Sequence, residues 1–188
     1  MANAVPRRRA EFIAGRGCAR QALVQLGQPA HIIPSGHDRA PIWPEGIVGS
    51  ISHCDSLAIA VVARRADGFL SLGVDIEAAS PLEADLIESI CTPAERQNLA
   101  SAGDAGLLAK TIFSIKESVY KAQYPLTRTM LEFAEVEVTL DLAAMRFSAV
   151  VAGCPQPLTG QFRIEAGYIL TLTCITSEAA GPARVDRP

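Results

Sequence analysis

Asp75 and Glu77 stand two residues apart in Leu72-Gly73-Val74-Asp75-Ile76-Glu77, at the end of an apolar run that reads as a strand. Residues two apart on a strand face the same way, so the two carboxylates project side by side. Like charges held this close repel unless a cation, a proton or a basic partner compensates them. Further along, Phe113-Ser114-Ile115-Lys116-Glu117-Ser118-Val119-Tyr120-Lys121 adds a third carboxylate and two lysines on a segment of helical character. Three hard oxygen donors suit Mg²⁺, and lysines suit a phosphorylated substrate. The chemistry these residues point to is phosphoryl transfer.

Each feature also has a plainer account. The acid pair can be a solvated strand end. Glu117 and Lys121, four apart, can form a helix-surface ion pair worth roughly 0.3–0.5 kcal/mol. His53, in Ser52-His53-Cys54, can be an ordinary structural histidine, and Cys54 is disfavoured as a nucleophile beside it because adjacent strand residues face opposite ways. Arg7, Arg8, Arg9, Arg16 and Arg20 can be the wet face of a first helix. Yet Arg9, Arg16 and Arg20 lie near one helical face and Arg8 approaches that of Arg16, a row of cations that suits a multiply phosphorylated ligand. Trp43 reads as a packing anchor.

The elements that must position these residues follow from periodicity and punctuation. Phe12, Ile13, Ala19, Leu23 and Leu26 recur at helical spacing over 8–26, and Gly27 closes the run. Residues 29–46 read as a loop rich in proline and glycine. Strands are expected at 46–52, 57–64 and 70–77. One or two helices are expected in 81–102, the second with Thr92 as N-cap and Pro93 at N1. The longest helix is expected over 104–123, stopping before Pro125. Strand-like runs fill 134–140, 146–151, 159–165 and 168–175. Helix, strands, helix, strands is an α+β plan.

A chain of 188 residues can bury one substantial core or two small ones, and 49% apolar residues make it globular. A net charge of −3 argues against bulk nucleic-acid binding. Five scattered cysteines suggest neither a zinc knuckle nor a disulfide framework, which favours a reducing cytoplasm. No run reaches transmembrane length, and residues 1–6 and 177–188 have the composition of tails.

Taken in order, Gly49-Ser50-Ile51-Ser52-His53-Cys54, then Gly73-Val74-Asp75-Ile76-Glu77, then Phe113 to Lys121 resemble the signature set of the 4′-phosphopantetheinyl transferases. The resemblance is to the bacterial siderophore-associated branch typified by the enterobactin synthetase component D proteins. Arg8-Arg9-Ala10-Glu11-Phe12-Ile13-Ala14-Gly15-Arg16, Pro41-Ile42-Trp43-Pro44 and the stretch from Pro125 to Phe133 also look like that branch, so the likeness runs from about Arg7 to Ile175.

The resemblance implies that coenzyme A donates its phosphopantetheine arm to a serine of an apo acyl or peptidyl carrier protein of a siderophore, nonribosomal peptide or polyketide pathway, releasing 3′,5′-ADP. It implies Mg²⁺, with Mn²⁺ an alternative, held by Asp75, Glu77 and Glu117 with the Ile76 backbone alongside. Lys116 and Lys121 would neutralise phosphate charge, and Ser52 and His53 would contact nucleotide phosphates. Arg8, Arg16 and Arg39 would grip the phosphoadenosine end, with Ala40, Pro41 and Leu131 completing the coenzyme pocket and Asp75 facing the pyrophosphate. Glu117 would accept the serine proton, with Lys121 and His53 completing the catalytic set. It further implies a monomer of two pseudo-symmetric halves, 1–100 and 101–176, with the site in the cleft between them and a tail over 177–188. The first half is expected to be short at its start, since the chain begins almost at the arginine-rich helix. Segment 124–131, with Leu126, Met130 and Leu131 beside Arg128, is the expected carrier-docking patch. Two rival readings are a non-catalytic carrier-binding homologue and another Mg²⁺-dependent phosphotransferase.

Overall fold

The computed structural model describes residues 6–54, 57–100 and 102–177. The end segments 1–5 and 178–188, and the Arg7 side chain, lie outside the described residues. The elements are α1 (Pro6–Gln25), β1 (Ile47–Cys54), β2 (Leu57–Arg64), β3 (Phe69–Ala78), α2 (Ala84–Ile90), α3 (Pro93–Leu99), α4 (Ala105–Thr127), β4 (Val136–Asp141), β5 (Arg146–Val151), β6 (Leu158–Glu165) and β7 (Tyr168–Thr176). This is the α+β plan expected from the sequence.

β1 and β2 form an antiparallel ribbon, while the remaining strands make a five-stranded antiparallel sheet in the order β3-β7-β6-β5-β4. β3 is apolar enough to be buried continuously from Ser71 to Ile76. One edge of β3 pairs with β7, so that Gly73 lies opposite Thr173 and Asp75 opposite Thr171. Along its other edge the Val74 N–H donates to the Ser50 hydroxyl of β1 at 3.0 Å. A serine side chain thus satisfies a buried backbone donor that has no strand ladder to enter.

α4 lies across β3 and β7, and Gly73 is what lets it do so. A Cβ at Gly73 would sit 1.8 Å from the Ser118 carbonyl oxygen and 2.7 Å from the Ala122 nitrogen. The seam beside it is polar: Ser118 Oγ lies 2.8 Å from Thr173 Oγ1, and Ser114 Oγ lies 3.1 Å from Thr171 Oγ1. The other flank of α4 carries Ile112, Ile115 and Val119 into the main core with Val136, Val138, Phe147, Ala149, Val151 and Phe162. A smaller core beneath α1 joins Ala19, Leu23, Ile33 and Ile47.

Local signals decide where the helices begin and end. Thr92 caps α3, its Oγ1 accepting from the Glu95 N–H at 3.2 Å, with Pro93 in the first turn. Pro125 does not stop α4, contrary to expectation. The helix runs on to Thr127 and ends where Arg128 turns left-handed at φ 58° and donates its N–H to the Tyr124 carbonyl at 2.8 Å. Pro125 is exposed in the last turn, so the one bond it forfeits, to the Lys121 carbonyl, adjoins carbonyls that the helix end leaves without partners in any case. None of the five cysteines forms a disulfide. Among the described residues no helix is long and apolar enough to cross a membrane.

The Gly73 contact gives a stability prediction. Gly73→Ala should cost about 3 kcal/mol or more, because both atoms in its way are backbone and cannot swing aside. Urea denaturation measures it, and a variant as stable as wild type would contradict the close approach of α4 to β3.

Candidate active site

Strand alternation puts residues 73, 75 and 77 on the α4 face of β3, and each meets that helix differently. Gly73 admits the backbone. Asp75 is only 3% exposed, and its carboxylate accepts from Ser52 Oγ at 2.8 Å, Ser114 Oγ at 2.9 Å and Lys121 Nζ at 2.6 Å. Lys121 Nζ also donates to Ser52 Oγ at 3.0 Å. Glu77 pairs with Lys110 at 2.6 Å, and that ammonium sits 4.8 Å above the Phe113 ring. Helical geometry explains the set: residues 110, 114 and 121 fall within about 40° of one another around α4 at 3.6 residues per turn.

Glu117 completes this acidic centre. Burial raises its carboxyl pKa, Asp75 and Glu77 push the same way, and Lys121 opposes them. The three carboxylates therefore share one field. The compensation that the acid pair requires is supplied here by two ammonium groups. Among the described residues no three His, Cys, Asp or Glu side chains converge into a ready-made metal centre.

Lys116 is elsewhere, and the expectation that it neutralises substrate phosphate is corrected. Five residues turn a helix by about 140°, so Lys116 and Lys121 point to different sides of α4. The Lys116 side chain is 1% exposed, and its ammonium donates to the Ile90 carbonyl at 2.8 Å, Glu95 Oε2 at 2.8 Å and the Phe133 carbonyl at 2.9 Å. Every N–H is engaged inside the protein. Its partner Glu95 went unnoticed in the sequence. The Glu95 carboxylate also accepts from the backbone N–H of Thr92 at 2.7 Å and of Val138 at 2.6 Å, tying α3, α4 and β4 together. The available signal was Thr92-Pro93-Ala94-Glu95, the spacing of a capping box.

A second cluster lies between α1, the 28–46 loop and β1. Arg8, Arg16, Arg39 and His53, with Glu11 and Ser35, line a cleft of about 550 Å³ to which Pro41 also contributes. Arg16 is partly buried over the Phe12 ring, and that burial lowers its pKa. Its guanidinium donates to the Ile33 carbonyl at 2.8 Å and to Ser35 Oγ at 2.9 Å, so Arg16 also holds the loop against α1. His53 Nδ1 lies 3.9 Å from Glu11 Oε2. β1 connects the two clusters, sending Ser52 to the acidic centre and His53 to the basic cleft. Ser52 and His53, both expected to contact nucleotide phosphates, thus face different clusters.

Two expected pocket residues do not line the cleft. Ala40 shapes the loop instead: its carbonyl accepts from the Gly36 N–H at 2.8 Å and its N–H donates to Asp38 Oδ1 at 3.1 Å. Leu131 packs against the main core. In the expected docking patch, Leu126 is 44% and Met130 67% exposed. Arg128, expected there as an exposed charge, is exposed and pairs with Asp38 at 2.7 Å.

The buried pair is testable. Lys116→Met leaves the Glu95 carboxylate buried without its cation and should cost about 3–5 kcal/mol in urea unfolding. Wild-type stability in that variant would contradict the structural assignment of Lys116.

Comparison with known proteins places two family models on the chain. One, for the 4′-phosphopantetheinyl transferase N-terminal domain, matches residues 1–63, and one for the 4′-phosphopantetheinyl transferase superfamily matches residues 71–172. The chain is 40% identical over 198 residues to 4′-phosphopantetheinyl transferase Svp of Streptomyces mobaraensis, covering 97% of this chain and 77% of the relative. It is 36% identical over 184 residues to 4′-phosphopantetheinyl transferase PptT of Mycobacterium tuberculosis, covering 91% and 81%. It is 41% identical over 142 residues to 4′-phosphopantetheinyl transferase Npt of Nocardia iowensis, covering 76% of this chain and 64% of that relative.

Proposed function

The chain belongs to the 4′-phosphopantetheinyl transferase superfamily, and we propose that it transfers the phosphopantetheine arm of coenzyme A to a serine of an apo acyl or peptidyl carrier protein. The observation that carries this reading is the pairing of a cationic cleft with an acidic, lysine-bearing centre on either face of β1. A nucleotide with several phosphates needs the first, and the breaking of its pyrophosphate needs the second.

In this reading the serine oxygen bonds to the phosphorus bearing the pantetheine arm, and the bond from that phosphorus to the bridging oxygen breaks. Adenosine 3′,5′-bisphosphate leaves with the electron pair. Arg8, Arg16, Arg39 and His53 hold the nucleotide end. Lys121, fixed by Asp75 and Ser52, presents a positive charge where the leaving phosphate gains negative charge. Glu117 accepts the serine proton, its proton affinity raised by burial and by its two acidic neighbours.

The donor chemistry of Asp75, Glu77 and Glu117 fits Mg²⁺ or Mn²⁺: all are hard oxygen ligands, mutually repelling, and the two ammonium groups now beside Asp75 and Glu77 show that the centre attracts positive charge. Those three residues would hold the ion, which when bound neutralises pyrophosphate charge. For the carrier, exposed Leu126 and Met130 at the end of α4 offer an apolar contact near Lys121. Among the relatives is enterobactin synthase component D of Escherichia coli, 42% identical over 120 residues that cover 62% of this chain and 55% of the relative. Carriers of siderophore, nonribosomal peptide or polyketide assembly are accordingly the substrates to try.

The decisive experiment is mass spectrometry of apo carriers incubated with the protein, coenzyme A and Mg²⁺. An acceptor should gain about 340 Da, the mass of the transferred arm. No gain on any carrier type, with folded protein and metal present, overturns the reading.

Steady-state kinetics separate grip from chemistry. Arg8→Ala should raise KM for coenzyme A about tenfold with little change in kcat, since its contact is made equally in ground and transition states. Lys121→Ala should lower kcat by about a hundredfold or more. The reverse pattern would mean that the nucleotide lies the other way round.

Glu117 gives a pH prediction. As a base it works deprotonated, so kcat should fall as pH drops through its pKa, which in the metal-free protein lies above the ordinary carboxylate value. The same raised pKa means that the folded state holds this proton more tightly than the unfolded chain. Its stabilising contribution is complete below the unfolded pKa and is lost as pH rises through the folded one. Glu117→Gln should therefore raise the Tm of metal-free protein at about pH 8 and leave it unchanged at about pH 4. Equal effects at both pH values would contradict the assignment.

A further inference from the structure

Loop 34–42 supplies Ser35, Arg39 and Pro41 to the basic cleft, and its conformation is unusual where it matters. Ser35 bridges Pro41, the Gly36 N–H donates to the Ala40 carbonyl at 2.8 Å, and the Arg39 N–H donates to the Gly36 carbonyl at 3.0 Å. Within that turn Arg39 takes φ 67°, a left-handed conformation unfavourable for a residue with a side chain. Arg16 holds the stem of the loop through Ile33 and Ser35. Something must also hold the tip.

Asp38 immediately precedes Arg39, and both of its oxygens are engaged. Oδ1 accepts from the Ala40 N–H at 3.1 Å, closing the turn across Arg39. Oδ2 accepts from the Arg128 guanidinium at 2.7 Å, and that guanidinium lies 5.7 Å from the centre of the Tyr124 ring. Gly36 leaves room for this carboxylate, since a Cβ there would lie 2.6 Å from Asp38 Oδ1. Arg128 and Tyr124 belong to the C-terminal end of α4, the helix that carries Lys121 and Glu117. They lie far from Asp38 in sequence, so the contact spans the molecule.

We propose that Asp38 is a positioning residue: it fixes Arg39 toward the nucleotide and ties that loop to the C-terminal cap of α4 through Arg128. The proposal rests on the coenzyme A reading of the cleft. An exposed ion pair of this kind adds little to global stability. Its effect is local, removing the need to order the loop when the ligand arrives. Loss of Asp38 should therefore be felt in ligand affinity and not in unfolding.

The test is calorimetric titration of adenosine 3′,5′-bisphosphate and of coenzyme A into wild type, Asp38→Ala, Asp38→Asn, Arg128→Ala and Arg39→Ala, with the double variants and a Tm for each. Asp38→Ala should weaken both ligands about tenfold while Tm and the kcat at saturating coenzyme A stay near wild type. Asp38→Asn, which keeps an acceptor for the Ala40 N–H but loses the charge, should fall between. In an Arg39→Ala background the effect of Asp38→Ala should largely disappear, since Asp38 acts through Arg39. Unchanged affinity in Asp38→Ala, or full additivity with Arg39→Ala, overturns the proposal. Should Asp38→Ala fail to fold, Asp38→Asn and Arg128→Ala carry the same comparison. Wild type that binds neither ligand overturns the reading of the cleft itself, a different result from wild type that binds and an Asp38 variant that binds equally well.

Discussion

Asp75 is a carboxylate buried beneath a helix, and most of the site is the consequence of making that burial tolerable. An uncompensated ion removed from water is costly, by several kcal/mol after relaxation. Its three donors come from β1 and α4, so Asp75 is satisfied only when both elements are docked on β3. The docking in turn depends on Gly73 for clearance and on Ser50 for the unladdered edge. Assembling the fold and assembling the catalytic geometry are therefore one event.

α4 carries two lysine–carboxylate pairs, and their different settings assign different roles. Lys116–Glu95 is sealed, with side chains 1% and 0% exposed, and every polar atom is answered by protein. Lys121–Asp75 is open on the lysine side, which is 26% exposed. A sealed pair cannot meet a substrate without unfolding its surroundings, whereas an open one can exchange a protein partner for a phosphate oxygen. Water access, more than residue type, separates the structural lysine from the chemical one.

The sequence was informative wherever the governing interaction is local. Alternation placed Asp75 and Glu77 on one face, the Thr92-Pro93 pair marked a helix start, and the strand boundaries followed from apolar runs and punctuation. It misled where motif spacing was followed without helical rotation: Lys116 stands only five residues before Lys121, yet α4 turns it into the core. It was silent where the partner is remote. That β3 pairs with β7, that Glu95 answers Lys116, and that Arg128 answers Asp38 depend on contacts between segments far apart in the chain, which no local pattern encodes. Pro125 shows a milder failure, since a breaker in the last exposed turn costs too little to end the helix where it stands.

β1 is a partition one residue thick, with Ser52 serving one chamber and His53 the other. Its pairing with β2 runs without interruption from Ile47 opposite Arg64 to Cys54 opposite Leu57. Side chains change face at every step, so sliding β1 by a single position would bring either His53 to Asp75 and Cys54 to the arginines, or Ile51 to Asp75 and Ser52 to the arginines. Substitutions along this ribbon can be judged one at a time, by size and polarity. Insertions and deletions cannot, because each would exchange the contents of both chambers at once. In the divergence of such a chain, β1 and β2 should accept changes of letter and refuse changes of length.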